Sequence, residues 1–227
     1  QPTNWHGHQR FFGGRHHDCQ SNPVYREHIR RYVTAFAAHF AGNPAVVGWQ
    51  IDNEINCETD EFYSQADGEA FRVYMRQKFG TLEKLNEAMG TAFWNQTYSE
   101  WSQVDVPRLT VSEARNPHMM LEYIRFVSES ALSFCQMQAA ILRKYVKPGD
   151  FITTNGLFAS MDNHRMTRES LDTYTHDTYP NFAYGLDNPS PDGTLRDRWA
   201  AVKLIEARSV CPHFGIMEQQ SGANGWI

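Results

Sequence analysis

Ala45-Val46-Val47-Gly48-Trp49-Gln50-Ile51-Asp52-Asn53-Glu54 is the stretch that decides the fold. Its apolar half, residues 45–51, predicts a buried strand, and the chain turns acidic and polar directly after it. Upstream, Tyr25, Ile29, Tyr32, Val33, Phe36 and Phe40 recur at helical spacing from Asn22-Pro23, and Gly42-Asn43-Pro44 closes that helix. Downstream, Phe71, Tyr74, Met75 and Phe79 predict a second helix closed by Gly80, and a shorter one over residues 82–89. Residues 90–115, with Trp94, Tyr98 and Trp101, read as a loop-rich surface excursion. Asn116-Pro117 opens a long helix, because the Asn side chain caps and Pro lacks the donor it would waste. Tyr123, Ile124, Val127, Phe134, Met137, Ile141 and Tyr145 carry it to Pro148-Gly149. Strands follow at residues 151–155 and 174–179, then a helix over residues 196–210, then a strand at 213–217 running into Glu218.

Strand and helix alternating in this way predict an α/β protein with a parallel sheet and helices outside it. A doubly wound sheet and a TIM (β/α)8 barrel share that rhythm. Two details choose the barrel. No glycine-rich phosphate loop follows a strand. Polar residues sit instead at the strand ends, namely Asn53-Glu54, Asn155, Asp177 with Tyr179, and Glu218, where barrels build their active sites.

Composition narrows the partners. The 227 residues carry 21 Lys and Arg against 26 Asp and Glu, a net charge of −5, so no nucleic acid and no membrane surface is expected as a partner. No apolar stretch approaches the roughly 20 residues of a membrane span. Cys19, Cys57, Cys135 and Cys211 lie far apart, which fits reduced thiols in a cytoplasmic protein better than a disulfide framework. Six Trp and ten Tyr supply flat faces that suit sugar rings, although core packing accounts for any single one equally well.

Two glutamates carry the chemistry. Glu54 and Glu218 each end an apolar strand and stand 164 residues apart, room for several βα units between them. Glycoside cleavage with retention needs two carboxyl groups about 5–5.5 Å apart, one a nucleophile and one an acid that later serves as base. Two Glu on non-adjacent strands of one barrel can meet across its mouth at that range. For Glu54 taken alone, a helix-capping or surface role weighs evenly with catalysis.

Several segments together resemble glycoside hydrolase family 42. They are residues 49–54; the run Phe79-Gly80-Thr81-Leu82-Glu83-Lys84-Leu85-Asn86-Glu87-Ala88-Met89-Gly90 continuing to Tyr98; Gly14-Arg15-His16-His17-Asp18-Cys19 with Asn22-Pro23-Val24-Tyr25-Arg26; and Met217-Glu218-Gln219-Gln220 with Asn224-Gly225-Trp226. The resemblance implies a retaining β-galactosidase acting on terminal non-reducing galactosides or oligosaccharides, with no cofactor. It implies Glu54 as acid/base, Glu218 as nucleophile, Asn53 bonded to the sugar 2-OH, Arg15 holding the sugar, and Trp226 packing near the galactose. Asn155, Asp177 and Tyr179 are weaker candidates for lining the cleft. Members commonly form trimers, so a homo-oligomer is implied as well.

The chain departs from that family in two ways. Some members hold structural zinc through four cysteines; Cys19 matches the first, but residues 59–68 contain none, so a four-thiolate site is not expected and no metal is assigned. A mixed site of Cys19 with His6, His8, His16 or His17 competes with ordinary hydrogen-bonded histidines, the favoured reading. Aligned by motif, residues 1–227 form one partial catalytic barrel domain, about strands 4 to 7, and such a piece is expected to be poorly active or to self-associate. Full hydrolysis of a nitrophenyl β-galactoside by the monomeric chain would sink that expectation. The alternatives are an α-L-arabinopyranosidase of the same family, a carbohydrate-binding barrel remnant without turnover, and a metal-dependent hydrolase, for which no HExxH spacing exists.

Overall fold

Asn22 accepts hydrogen bonds from the backbone N–H groups of Val24 (2.9 Å) and Tyr25 (3.1 Å), and helix α1 (Pro23–Phe40) starts there, as the sequence predicts. The computed structural model describes residues 1–59, 61–178 and 196–219, with the side chains of 196–200 excepted. After α1 come β1 (Gly48–Gln50), α2 (Gln65–Phe79), α3 (Leu82–Met89), two short 3-10 turns (Phe93–Asn95 and Trp101–Gln103) and α4 (Pro117–Leu142). β2 (Phe151–Thr153), α5 (Asn163–Ser170), β3 (Thr175–Thr178), α6 (Arg196–Val210) and β4 (Gly215–Gln219) complete the order. The chain packs as two units, Gln1–Tyr32 with Glu58–Phe134, and Val33–Cys57 with Cys135–Ile227.

The first unit is built on an apolar core. Ser64 and Asp67 form a reciprocal capping box at the start of α2, and Gly80, at φ 75°, ends it where a side chain would be strained. Phe71 and Met75 of α2, Leu85 of α3, Val104 and Val106, and Met119, Tyr123, Phe126 and Val127 of α4 form one buried cluster. Each such side chain, fully buried, contributes roughly 1.5–3 kcal/mol. Here the structure corrects one expectation. Residues 90–115 do not merely skirt the surface, because Val104 and Val106 are core and Tyr98 and Trp101 pack against it. Asn86 pins this section by bonding the Tyr98 carbonyl (2.8 Å) and N–H (2.9 Å). Apolar residues spaced singly among polar ones have no periodicity, which is why the core segment reads as a loop.

The second unit carries the strands. β1 and β2 run parallel with Trp49 opposite Ile152, and β3 and β4 run parallel with Thr175 opposite Gly215. The Thr175 N–H donates to the Thr154 carbonyl (3.1 Å), bringing β3 beside the end of β2. The order β1-β2-β3-β4 is therefore the chain order, as in a barrel, and lacks the reversal that marks a doubly wound sheet. Gly48 is required by close approach: a Cβ there would stand 2.6 Å from the Phe151 ring.

Several elements differ from expectation, and β2 and β3 are shorter than the strands expected at residues 151–155 and 174–179. β1 is shorter than residues 45–51, and Val47, meant to be buried in it, is exposed. α4 ends at Leu142, where the Tyr145 N–H turns back to the Leu142 carbonyl. β4 includes Glu218 rather than stopping before it. α5 is unpredicted, because its eight polar-rich residues bury only Met166 and Ser170 and show no apolar stripe.

Candidate active site

The chain leaves β1 in a tight, partly left-handed path. Asp52 (φ 53°) and Glu54 (φ 49°) both occupy the region that costs a residue with a Cβ roughly 1–2 kcal/mol. Local hydrogen bonds hold that path. The Asn53 N–H donates to Asp52 Oδ1 (2.8 Å), Gln50 Nε2 donates to the Asp52 carbonyl (3.1 Å), and the Glu54 N–H donates to Asn155 Oδ1 (2.8 Å). Strain of this kind, fixed by its surroundings, is typical of functional positions.

A second device aims the other end. Between β3 and β4 the register slips, so that His176 faces Ile216 but Asp177 faces Glu218, leaving Met217 as the extra residue of a bulge. Bulges re-aim side chains beside active sites. Glu54, Asp177 and Glu218 thereby converge, each placing one carboxylate oxygen within 4.8 Å of the others.

Asn155, fully buried just after β2, stands among them. Its Nδ2 donates to Asn53 Oδ1 (2.9 Å), Asp177 Oδ2 (2.9 Å) and Glu218 Oε1 (3.2 Å). Gln50 Nε2 donates to Asn155 Oδ1 (3.0 Å) and to Asn53 Oδ1 (3.3 Å). With its oxygen so occupied, Asn53 presents its Nδ2 toward Glu54 Oε2 (3.3 Å). Burial, then the charges of Glu218 and Glu54, push the Asp177 carboxyl up to about 7, while the Asn155 amide pulls the other way. Three carboxyls this close can share protons or hold a cation. Amide hydrogens are already directed at all three, from Asn53 to Glu54 and from Asn155 to Asp177 and Glu218.

The structure thus brings Asn53, Glu54 and Glu218 together in the second unit. Arg15 belongs to the first unit, where its Nε lies 3.5 Å from Glu58 and its Nη2 3.2 Å from His16 Nε2, beside a cavity of about 320 Å³ that Arg10, His17 and Glu61 also line. Trp226 and Tyr179 lie outside the described residues. Cys19 is buried against Ser64 (3.3 Å) and Asp67 (3.5 Å), and burial and then the Asp67 charge push its thiol up. His17 Nδ1 bonds the Gly14 carbonyl at 2.7 Å. Sequence reasoning passed over Gln50 and undervalued Asn155 and Asp177. An asparagine that directly continues an apolar strand is the one signal available for Asn155.

Comparison with known proteins identifies the family. The family profile described as beta-galactosidase, glycoside hydrolase 42, matches residues 1–227. A β-galactosidase of Thermus thermophilus is 40% identical over 235 residues, covering 99% of this chain and 36% of that protein. Solved structures of β-galactosidases from Marinomonas ef1 and Halorubrum lacusprofundi superpose with TM-scores of 0.84 and 0.84, at 34% and 31% identity. They cover 96% and 97% of this chain, which spans about a third of their length (35% and 34%). The fold is that of a TIM-barrel family, and the chain belongs to glycoside hydrolase family 42.

Proposed function

We propose that the chain supplies the reacting centre of a retaining β-galactosidase, with Glu54 as acid/base and Glu218 as nucleophile. The observation that carries this reading is the convergence of the Glu54 and Glu218 carboxylate oxygens to within 4.8 Å. Retaining enzymes hold the pair at about 5–5.5 Å, whereas inverting ones leave about 6.5–9.5 Å for a water. On this reading β1 to β4 are strands 4 to 7 of an eight-stranded barrel, and residues 1–227 are part of one catalytic domain.

The chemistry runs as a double displacement. A Glu218 oxygen attacks the anomeric carbon as the bond to the leaving oxygen breaks, and Glu54 gives that oxygen its proton. Glu54, now a carboxylate, takes a proton from water; the water oxygen attacks the same carbon and expels Glu218. Two inversions leave the sugar with its original configuration. Asn53, with its oxygen bonded inside the protein and one amide hydrogen toward Glu54, has its second amide hydrogen to offer the sugar 2-OH, a contact that strengthens as charge develops. Arg15 and Trp226 are proposed sugar contacts, carried by the family resemblance. The substrate is a terminal β-galactoside, and a homo-oligomer is the proposed assembly.

In the full-length protein, Glu218→Gln should abolish turnover and formation of a glycosyl-enzyme. Glu54→Gln should spare the first step with activated aryl leaving groups and regain the second step with added azide. Equal loss by both variants on activated substrates, with no azide effect, would show the roles to be wrong.

A further inference from the structure

We infer that Asn155 is the positioning residue of this site: one buried amide holds the Glu54 backbone through its oxygen, and Asn53, Asp177 and Glu218 through its nitrogen. The inference rests on the proposed roles of Glu54 and Glu218 and adds a residue outside that pair. Its ground is the bonding pattern. Asn155 Oδ1 accepts from the Glu54 N–H (2.8 Å) and Gln50 Nε2 (3.0 Å), while Nδ2 serves Asn53 Oδ1, Asp177 Oδ2 and Glu218 Oε1. Elements following β1 and β2, and strands β3 and β4, therefore meet on a single side chain.

The consequence follows from chemistry. Glu54 sits at φ 49°, which its own backbone does not favour, and the Asn155 acceptor offsets part of that cost. The Nδ2 hydrogens lie against carboxylates and stabilise their ionised form. The titratable groups around Glu218 in this cluster are Glu54, from the segment after β1, and Asp177, from β3; both repel its charge. Asn155 is thus a neutral donor shared between Asp177 and Glu218 in a cluster of three carboxyls. Removing it should loosen the spacing of the pair and take away the amide that opposes the upward shift of the Asp177 carboxyl. A misplacement of reacting groups by about 1 Å costs on the order of 100-fold in rate.

The test is the kinetics of Asn155→Ala and Asn155→Asp in the full-length enzyme, on nitrophenyl β-galactoside across pH. Asn155→Ala should lower kcat by roughly 100-fold with KM changed less than about threefold, and should move the acidic limb of kcat/KM to higher pH. Asn155→Asp keeps the acceptor for the Glu54 N–H but adds negative charge, so its limb should move further in the same direction. A role limited to packing predicts lost folded protein with an unmoved limb in whatever remains, and that result overturns the inference. So does activity within threefold of wild type in Asn155→Asp. Glu218→Gln and Glu54→Gln are assayed beside them. If those controls contradict the assigned roles, the underlying reading falls and the inference with it, whereas an unmoved limb with well-behaved controls removes Asn155 alone.

Discussion

The two units bury different chemistry. In the first, α2, α3 and α4 enclose an apolar cluster of aromatic, methionine, leucine and valine side chains. In the second, the strands and the residues after them bury Thr153, Thr154, Asn155, Thr175, His176 and Thr178, and His176 Nδ1 and Thr178 Oγ1 have no hydrogen-bond partner among the described residues. Apolar burial returns free energy roughly in proportion to area, whereas a buried polar group without a partner costs about 1–3 kcal/mol. The first unit is therefore organised for stability. The second gives some of it up to hold a row of polar groups at the strand ends, which is the expected signature of a site under functional load.

Substitutions on the two sides of this contrast should behave oppositely. Glu218→Gln removes a charge from a crowded acidic cluster. It should cut galactoside hydrolysis by at least about 10⁴-fold, the scale on which loss of a nucleophile acts, while leaving thermal stability unchanged or raised. A fall in Tm together with activity would mean that Glu218 is structural. Leu85→Ala, in the core of the first unit, should do the reverse. Leu85 is completely buried, and its truncation should cost about 2–5 kcal/mol by denaturant unfolding, with kcat of the folded fraction unchanged. If kcat falls in step with stability, the contrast fails.

The same division decides what the sequence discloses. α1, α2, α3 and the start of α4 were legible because their ends carry local chemistry, such as Asn22 before Pro23, Gly80 after Phe79 and Asn116 before Pro117, which acts over a few residues. Glu54 and Glu218 were legible as strand-end carboxylates, and the structure brings them together. Asn155 was underweighted for a physical reason: its importance lies in bonds to residues 22 to 105 positions away, which leave no local pattern. Met217, the extra residue of the bulge, looks like any apolar strand position until the partner strand is known. α5 was invisible because it contributes little apolar surface.

Asp177→Asn sharpens the contrast by pH. A carboxyl held at about 7 when folded, against an ordinary 3.8, favours the folded state fully only below the lower value. That contribution fades as pH rises from about 4 to 7 and is absent above. Asn does not titrate, so the variant should gain over wild type at pH 8 and show no gain near pH 4. The full shift would correspond to roughly 4 kcal/mol, and solvent access to the cluster reduces this to about 1–2 kcal/mol. Unfolding curves at the two pH values check it. A gain of the same size at both would mean that charge is not the cause.

The smallest effects should fall at helix caps, and they too should differ between units. Thr81 caps α3 through a long bond to the Lys84 N–H (3.4 Å), and α3 is also held by buried Leu85 and Met89. Asp162 caps α5 through a shorter bond to the Arg165 N–H (2.9 Å), and α5 has only Met166 as a buried apolar anchor. Thr81→Ala should cost about 0.5 kcal/mol and Asp162→Ala about 1 kcal/mol or more. Amide exchange separates the two more clearly than global stability does. With its cap gone, α5 should fray through its first turn and exchange faster over Asn163–Ser170, whereas α3 should stay protected by the packing of Leu85. Equal acceleration in both helices would mean that packing in the two units holds its helices alike, and the division between a stabilising unit and a site-bearing one would have to be abandoned.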